Sequence, residues 1–228
     1  MKILYIVGTP IGNLEDITLR ALRVLGEADV ILCEDTRVTE KLLKHYKINK
    51  PLKPFHSHTL IPSTQYLASY DSVAYVSDAG TPGVSDPGAA LVAYAREQGA
   101  EVVTIPGPSA VAALVSIAGK EIWEFVFKGF PPHKKGRETF FKQVAAELGY
   151  PTSKSKGRPV TFYEAPTRVI KALTLLEKFA PDSHIIIGRE LTKKFEEVLE
   201  GTPTQLLTLF KQTPEKIRGE FVILVSPP

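Results

Sequence analysis

The sequence predicts an α/β protein made of two α/β domains, and three observations carry that expectation. Short β-branched apolar runs alternate with helix-period stretches through the first half of the chain. The segments between them are clusters of Gly, Pro and short polar residues, which punctuate rather than repeat. The segment Lys128-Gly-Phe-Pro-Pro-His-Lys-Lys-Gly136 then interrupts the pattern, and the division is drawn just before it, giving domains 1–122 and 123–228. A chain of 228 residues is long enough for either one large or two small domains.

In the first half, strands are expected at Ile3–Val7, Val30–Cys33, Val73–Ser77 and Glu101–Ile105. Asp16 precedes the apolar period Ile17, Ala21, Leu22, Leu25, Ala28 and reads as a helix cap. Further helices are expected at Thr39–Tyr46, Gly88–Gln98 and the small-residue stretch Ser109–Ala118, which Gly119 stops. Strands joined by helices imply right-handed crossovers and a mostly parallel sheet covered on both faces. In the second half, strands are expected at Phe125–Phe127, Val160–Tyr163, His184–Gly188 and Glu220–Val225. Helices are expected at Glu138–Leu148, Thr167–Phe179 and Thr204–Phe210, and the second domain is expected to carry a mixed sheet.

Composition excludes several classes. Hydrophobic residues are 43% and charged residues 23%, as in ordinary globular chains rather than disordered ones. No apolar stretch approaches the ~20 residues of a membrane helix, and the run after Lys2 is too short for a secretory signal. Cys33 is the sole cysteine, which excludes an intrachain disulfide and a cysteine cage and fits a reducing cytoplasm. It closes a strand and reads as buried packing; Trp123 is read as core. His56-Ser-His58 lacks a third ligand nearby, so no metal is expected. The net charge of +3 is mild, but residues 128–158 concentrate Lys128, His133, Lys134, Lys135, Arg137, Lys142, Lys154, Lys156 and Arg158. That stretch is either a solvated face or a phosphate-facing surface.

Ligands of an open α/β sheet sit beyond the carboxyl ends of its strands. The loops expected there are Gly8-Thr-Pro-Ile-Gly-Asn13, Glu34-Asp-Thr-Arg37, Asp78-Ala-Gly-Thr-Pro-Gly-Val-Ser-Asp-Pro-Gly88 and Pro106-Gly-Pro-Ser-Ala110. Neither G-x-G-x-x-G nor G-x-x-x-x-G-K-[ST] occurs, so the usual dinucleotide and P-loop cradles are absent. Pro10, Pro82, Pro87, Pro106 and Pro108 remove backbone donors that a phosphate cradle needs. Such loops suit an uncharged planar group with a zwitterionic end.

The motifs TPIGNL (9–14), EDTR (34–37), SDAGTPGVSDPG (77–88), PGPSA (106–110), GFPPHKKG (129–136), FYEAPTR (162–168) and RELTKKFEEVLEG (189–201) run in the order of one family. The chain resembles the small-subunit ribosomal RNA methyltransferase branch of the tetrapyrrole methylase superfamily over nearly its whole length. The resemblance implies a homodimer whose protomer is two α/β domains with a cofactor cleft between them, holding S-adenosylmethionine. It implies 2′-O-methylation of a cytidine in the decoding region of 16S rRNA. Carried over by motif, Pro10 would wall the cofactor, Ala79, Gly80 and Thr81 would offer backbone to its methionine end, and Val84 would pack on it. Ser109 and Ala110 would lie by its methionine or ribose part, and Glu164 and Leu191 would close the site. Two departures stand out: Phe195 occupies the place of a customary His, so no role is carried to it, and the chain is short for the family.

A ribose hydroxyl is a weak nucleophile, and a base helps by roughly 10²–10⁴-fold. Glu34, Asp35, Glu164 and Glu190 are candidate bases, with Arg37 and Lys193 as phosphate or oxyanion partners. Asp35 and Arg37 are expected to face the acceptor, and Lys134, Lys135 and Arg137 to neutralise RNA phosphates. Two other readings stay open: a C-methyltransferase of corrin or sirohaem precursors on the same scaffold, and a non-catalytic ribosome-binding protein.

Overall fold

A computed structural model describes residues 1–55, 67–84, 88–150 and 157–228. His56, His58, Pro87, Lys154 and Lys156 lie outside the described residues. The chain divides into two compact units, Met1–Ser109 and Ala110–Pro228.

The first unit holds β1 (Ile3–Val7), α1 (Leu19–Glu27), β2 (Val30–Cys33), α2 (Thr36–His45), β3 (Leu52–Pro54), β4 (Ser72–Val76), α3 (Gly88–Glu97) and β5 (Glu101–Ile105). The strands form one sheet in the order β3-β2-β4-β1-β5, and every pairing in it is parallel. One face packs Leu4, Leu32, Val73 and Tyr75 against Leu91 and Tyr94 of α3. The other packs Val7, Ile31, Cys33 and Val76 against Val24 and Leu25 of α1 and Leu43 of α2. Cys33 is fully buried, as expected, and its surroundings raise the thiol's pKa, chiefly by desolvation. The cap of α1 differs from expectation: Asp16 ends a short 3₁₀ turn, and Thr18 accepts from the Ala21 N–H at 3.0 Å. A threonine hydroxyl placed three residues before its donor satisfies the orphan amide as well as Asp16 would have.

The second unit holds α4 (Ala110–Ser116), β6 (Val126–Phe127), α5 (Arg137–Glu147), β7 (Val160–Glu164), α6 (Pro166–Phe179), β8 (His184–Arg189), β9 (Glu197–Gly201), α7 (Pro203–Gln212) and β10 (Phe221–Ser226). The division falls ahead of α4 rather than at 122/123, because α4 packs on β10. The sheet order is β6-β7-β10-β8-β9, with β6–β7 parallel and the rest antiparallel. Helices α5, α6 and α7 cover one face. There Phe140, Phe141 and Phe162 meet edge to face at 5.3–5.7 Å, worth ~0.5–1.5 kcal/mol per pair beyond burial. Thr202 and Gln205 form a capping box that starts α7 directly after β9.

Trp123 corrects the sequence reading. It is 87% exposed rather than core. It stands in the irregular link between α4 and β6, where no sheet face or helix covers it.

Candidate functional site

In the first unit, parallel pairing brings the carboxyl ends of β1, β2, β4 and β5 to one edge. The loops that leave them are stitched together largely by main chain. Thr9 and Gly80 form an antiparallel bridge, with Thr9 N–H donating to the Gly80 carbonyl at 2.9 Å and Gly80 N–H to the Thr9 carbonyl at 3.1 Å. Gly80 sits at φ +80°, a conformation other residues rarely adopt. The Thr81 hydroxyl donates toward the Gly107 and Pro108 carbonyls at 3.2 and 3.0 Å, tying the β4 loop to the β5 loop. The Asp35 N–H donates to Asp78 at 2.9 Å, tying in the β2 loop. The β1 and β5 loops touch at glycine: a Cβ on Gly107 would stand 2.8 Å from the Gly8 backbone. These loops thus make one joined floor, as the sequence loops implied.

The geometry reassigns individual residues. The Gly80 N–H is taken by Thr9, and its carbonyl already accepts from Thr9, so Gly80 shapes the floor. Pro10 is buried beside the bridge, while Ala79 and Val84 are exposed at the β4 loop. Ser109, half-buried, is the last residue before α4, which Ala110 opens.

Asp35 caps α2 by accepting from the Arg37 N–H at 2.9 Å, and its carboxylate is gripped by the Arg37 guanidinium at 2.6–3.2 Å. Hydrogen bonding from Arg37 holds the Asp35 carboxyl at about 2. Such an ion is a weak base at neutral pH. Arg37→Ala is expected to return Asp35 toward the usual value of about 3.9, read by carboxyl-carbon NMR titration. A midpoint still near 2 in the variant would refute Arg37 as the cause.

In the second unit, β6, β7 and β8 run in one direction, so their carboxyl ends share an edge with the start of β10. Glu164 ends β7 fully buried, and its oxygens accept from Arg137, from Arg168 at 3.1 Å and from the Ala165 N–H at 2.9 Å. Its carboxylate is spent on structure, which gives Glu164 an anchoring role. Arg137 corrects the sequence reading outright. It is 2% exposed, pairs with Glu164, donates to the Pro132 carbonyl at 3.3 Å and lies over the Phe141 ring. An arginine so enclosed cannot neutralise a phosphate, whereas Lys134 and Lys135 are exposed.

After β8 the chain turns through Glu190 at φ +51° and Thr192 at φ +67°. Neither is glycine, and each such residue costs about 1–3 kcal/mol, a strain that gathers at functional loops. Glu190 holds the turn by accepting from Lys193 at 3.0 Å and from the Glu220 N–H at 2.9 Å. Burial would raise the Glu190 carboxyl, but those two donors outweigh it and hold it below the usual range. Burial likewise lowers Lys193, and Glu190 and Glu220 overcome it, keeping the ammonium charged. Leu191, between the strained positions, is buried over Gly188 and so packs within its own unit. Phe195 is 65% exposed, with the Lys194 ammonium 5.6 Å from its ring.

Sequence reasoning passed over Asp78 and Glu220, whose partners are far along the chain, and Arg168, which meets Glu164 one helical turn away. Among the described residues, no three His, Cys, Asp or Glu side chains gather as a metal site, and no helix is long and apolar enough to cross a membrane.

This pattern is that of a doubly sheeted α/β protein with its loops gathered at strand carboxyl ends. The family described as Tetrapyrrole (Corrin/Porphyrin) Methylases matches residues 3–207, and the chain belongs to it. Among relatives, a ribosomal RNA small subunit methyltransferase I of Borrelia garinii subsp. bavariensis is 46% identical, with 98% of each chain covered. One of Thermotoga maritima is 39% identical, covering 98% of this chain and 97% of that one. Among solved structures, the uroporphyrin-III-C-methyltransferase of Thermus thermophilus superimposes with TM-score 0.65 at 18% identity, covering 99% of this chain and 94% of that one. The cobalt precorrin-4 methyltransferase CbiF gives 0.64 at 17% identity, covering 99% and 95%. At that identity the two structures speak for the fold alone.

Proposed function

We propose that the chain is an S-adenosylmethionine-dependent methyltransferase of small-subunit ribosomal RNA, acting on a cytidine ribose 2′-hydroxyl. The single observation that carries this reading is full-length identity of 39–46% to relatives named for that RNA. The corrin alternative rests on the breadth of the family description and on fold likeness at 17–18% identity.

The donor set of the first unit fits the cofactor. Pro10, Pro82, Pro106 and Pro108 lack N–H groups, the Gly80 N–H is taken, and the Thr81 hydroxyl points at carbonyls. An acceptor-rich, donor-poor floor disfavours phosphate and suits a cation with a neutral ring. Pro10, Ala79, Thr81, Val84, Ser109 and Ala110 are the residues that would hold it. S-adenosylmethionine supplies a methyl group on a positively charged sulfur, a strong electrophile. The chain's task is to align the hydroxyl oxygen in line with that methyl and to exclude water. Asp35 and Arg37, locked together at the head of α2, serve as positioning residues for the acceptor rather than as a base. Glu190 and Lys193 brace the turn carrying Leu191 in the same way. Lys134 and Lys135 meet the RNA.

Methyl incorporation from labelled cofactor into purified small subunits lacking the modification tests the reading. Transfer to a ribose 2′-oxygen is expected; transfer only to a tetrapyrrole, or no cofactor binding by calorimetry, overturns it.

The protein works in the cytoplasm as a homodimer on this reading. Trp123, bare on the second unit with Ile117 and Phe125 also exposed, supports a partner surface. Trp123→Glu is expected to shift the chain from dimer to monomer in sedimentation at micromolar concentration; an unaltered distribution would remove Trp123 from the interface.

A further inference from the structure

The carboxyl edge of the second sheet presents an aromatic ring among exposed cationic side chains. Phe130 is 55% exposed yet fixed in place. Its ring leans on Tyr163 with centroids 5.1 Å apart, and Tyr163 meets Phe127 edge to face at 5.2 Å. The rings thus climb from the sheet toward solvent. The backbone beneath is pinned as well: Tyr163 N–H donates to the Gly129 carbonyl at 2.9 Å, Lys128 N–H to the Thr161 carbonyl at 2.9 Å, and Arg137 to the Pro132 carbonyl. A loop ordered in advance loses little entropy when it binds.

Beyond Phe130, the side chains of His133, Lys134 and Lys135 are exposed. Neither lysine enters an ion pair among the described residues, and His133 Nδ1 lies 3.4 Å from the Arg168 guanidinium. A preset ring beside uncommitted ammonium groups is the chemistry that reads unpaired nucleic acid. A base offers its π-face to the ring, and the adjoining phosphates meet the lysines. A duplex hides those faces in its own stack. Protein interfaces, by contrast, are depleted in lysine.

Resting on the RNA-methylation reading above, we propose that Phe130, seated on Tyr163, stacks an unpaired base of the substrate RNA while Lys134 and Lys135 hold the neighbouring phosphates. The loop 129–136 thereby selects single-stranded RNA over duplex.

The test uses the full chain and fluorescence anisotropy with a short unstructured RNA and with the same strand annealed to its complement. The unaltered protein is expected to favour the single strand. Phe130→Ala is expected to weaken that binding about tenfold with the salt dependence unchanged, and Phe130→Trp to keep it. The pair Lys134→Ala with Lys135→Ala is expected to flatten the log–log salt slope by about 1.4. Thermal unfolding of Phe130→Ala, unchanged for so exposed a ring, rules out misfolding as the cause. Equal affinity of Phe130→Ala and the unaltered protein overturns the proposal, as does equal binding of duplex and single strand. Methyl incorporation by the unaltered protein is read from the same preparation. Its absence overturns the methyltransferase reading, whereas unchanged affinity of Phe130→Ala overturns the platform alone.

Discussion

Arg137→Met is expected to destabilise the protein by about 3–5 kcal/mol, because it leaves the Glu164 carboxylate buried without its main partner. Both side chains are almost wholly enclosed, so water cannot replace the lost guanidinium. Arg168 still reaches Glu164 at 3.1 Å, which favours the lower end of that range. At roughly 2–4 °C per kcal/mol for a chain of this size, the melting temperature should fall on the order of 10 °C. Adding Glu164→Leu should recover part of the loss, since the stranded charge is then gone. If Arg137→Met melted within a degree or two of the unaltered protein, the buried pair would be no anchor. Lys134→Ala, on the exposed loop, should stay within about 0.5 kcal/mol.

The second large effect is expected at Gly107. A Cβ there would stand 2.8–2.9 Å from the Cα, carbonyl carbon and oxygen of Gly8. These are backbone atoms, and neither loop can swing aside as a side-chain tip would. Gly107→Ala should cost about 1–3 kcal/mol as an overpacked contact. It should also part the β1 and β5 loops and weaken S-adenosylmethionine binding tenfold or more, equivalent to about 1.4 kcal/mol. Calorimetry with the cofactor checks this, and full affinity would show that the loop contact does not form the site. Gly26→Ala is the matched control. Gly26 lies in α1 with nothing within 4 Å of an added Cβ, and the change should stabilise by about 0.4–1 kcal/mol.

The parallel first sheet was legible because its central strands are continuous β-branched runs, and buried parallel strands read that way. Two edge strands, β3 and β9, were not. Leu52-Lys53-Pro54 is short, charged and ends in proline, and Glu197–Gly201 buries only Leu199. Both carry the polar residues and breakers that edges tolerate, so periodicity passes them by. The loops at the carboxyl edge were legible as a group, through their Gly and Pro content. What each residue does there was not. Arg137 sits in a Lys-Lys-Gly-Arg run that reads as a surface charge, and only the return of β7 brings Glu164 to it across 27 positions. Asp35 read as a candidate base because its neighbour's grip depends on the turn into α2. Trp123 was misread for the opposite reason, since bulk and apolarity argue for burial in any chain taken alone.

The Thr9–Gly80 bridge has a consequence for how such a protein can diverge. Its bonds run between peptide groups, so most side chains on the surrounding loops are at liberty to drift while the joined main-chain floor persists. A scaffold of that sort can be handed new substrates by rewriting its periphery, without rebuilding the floor beneath.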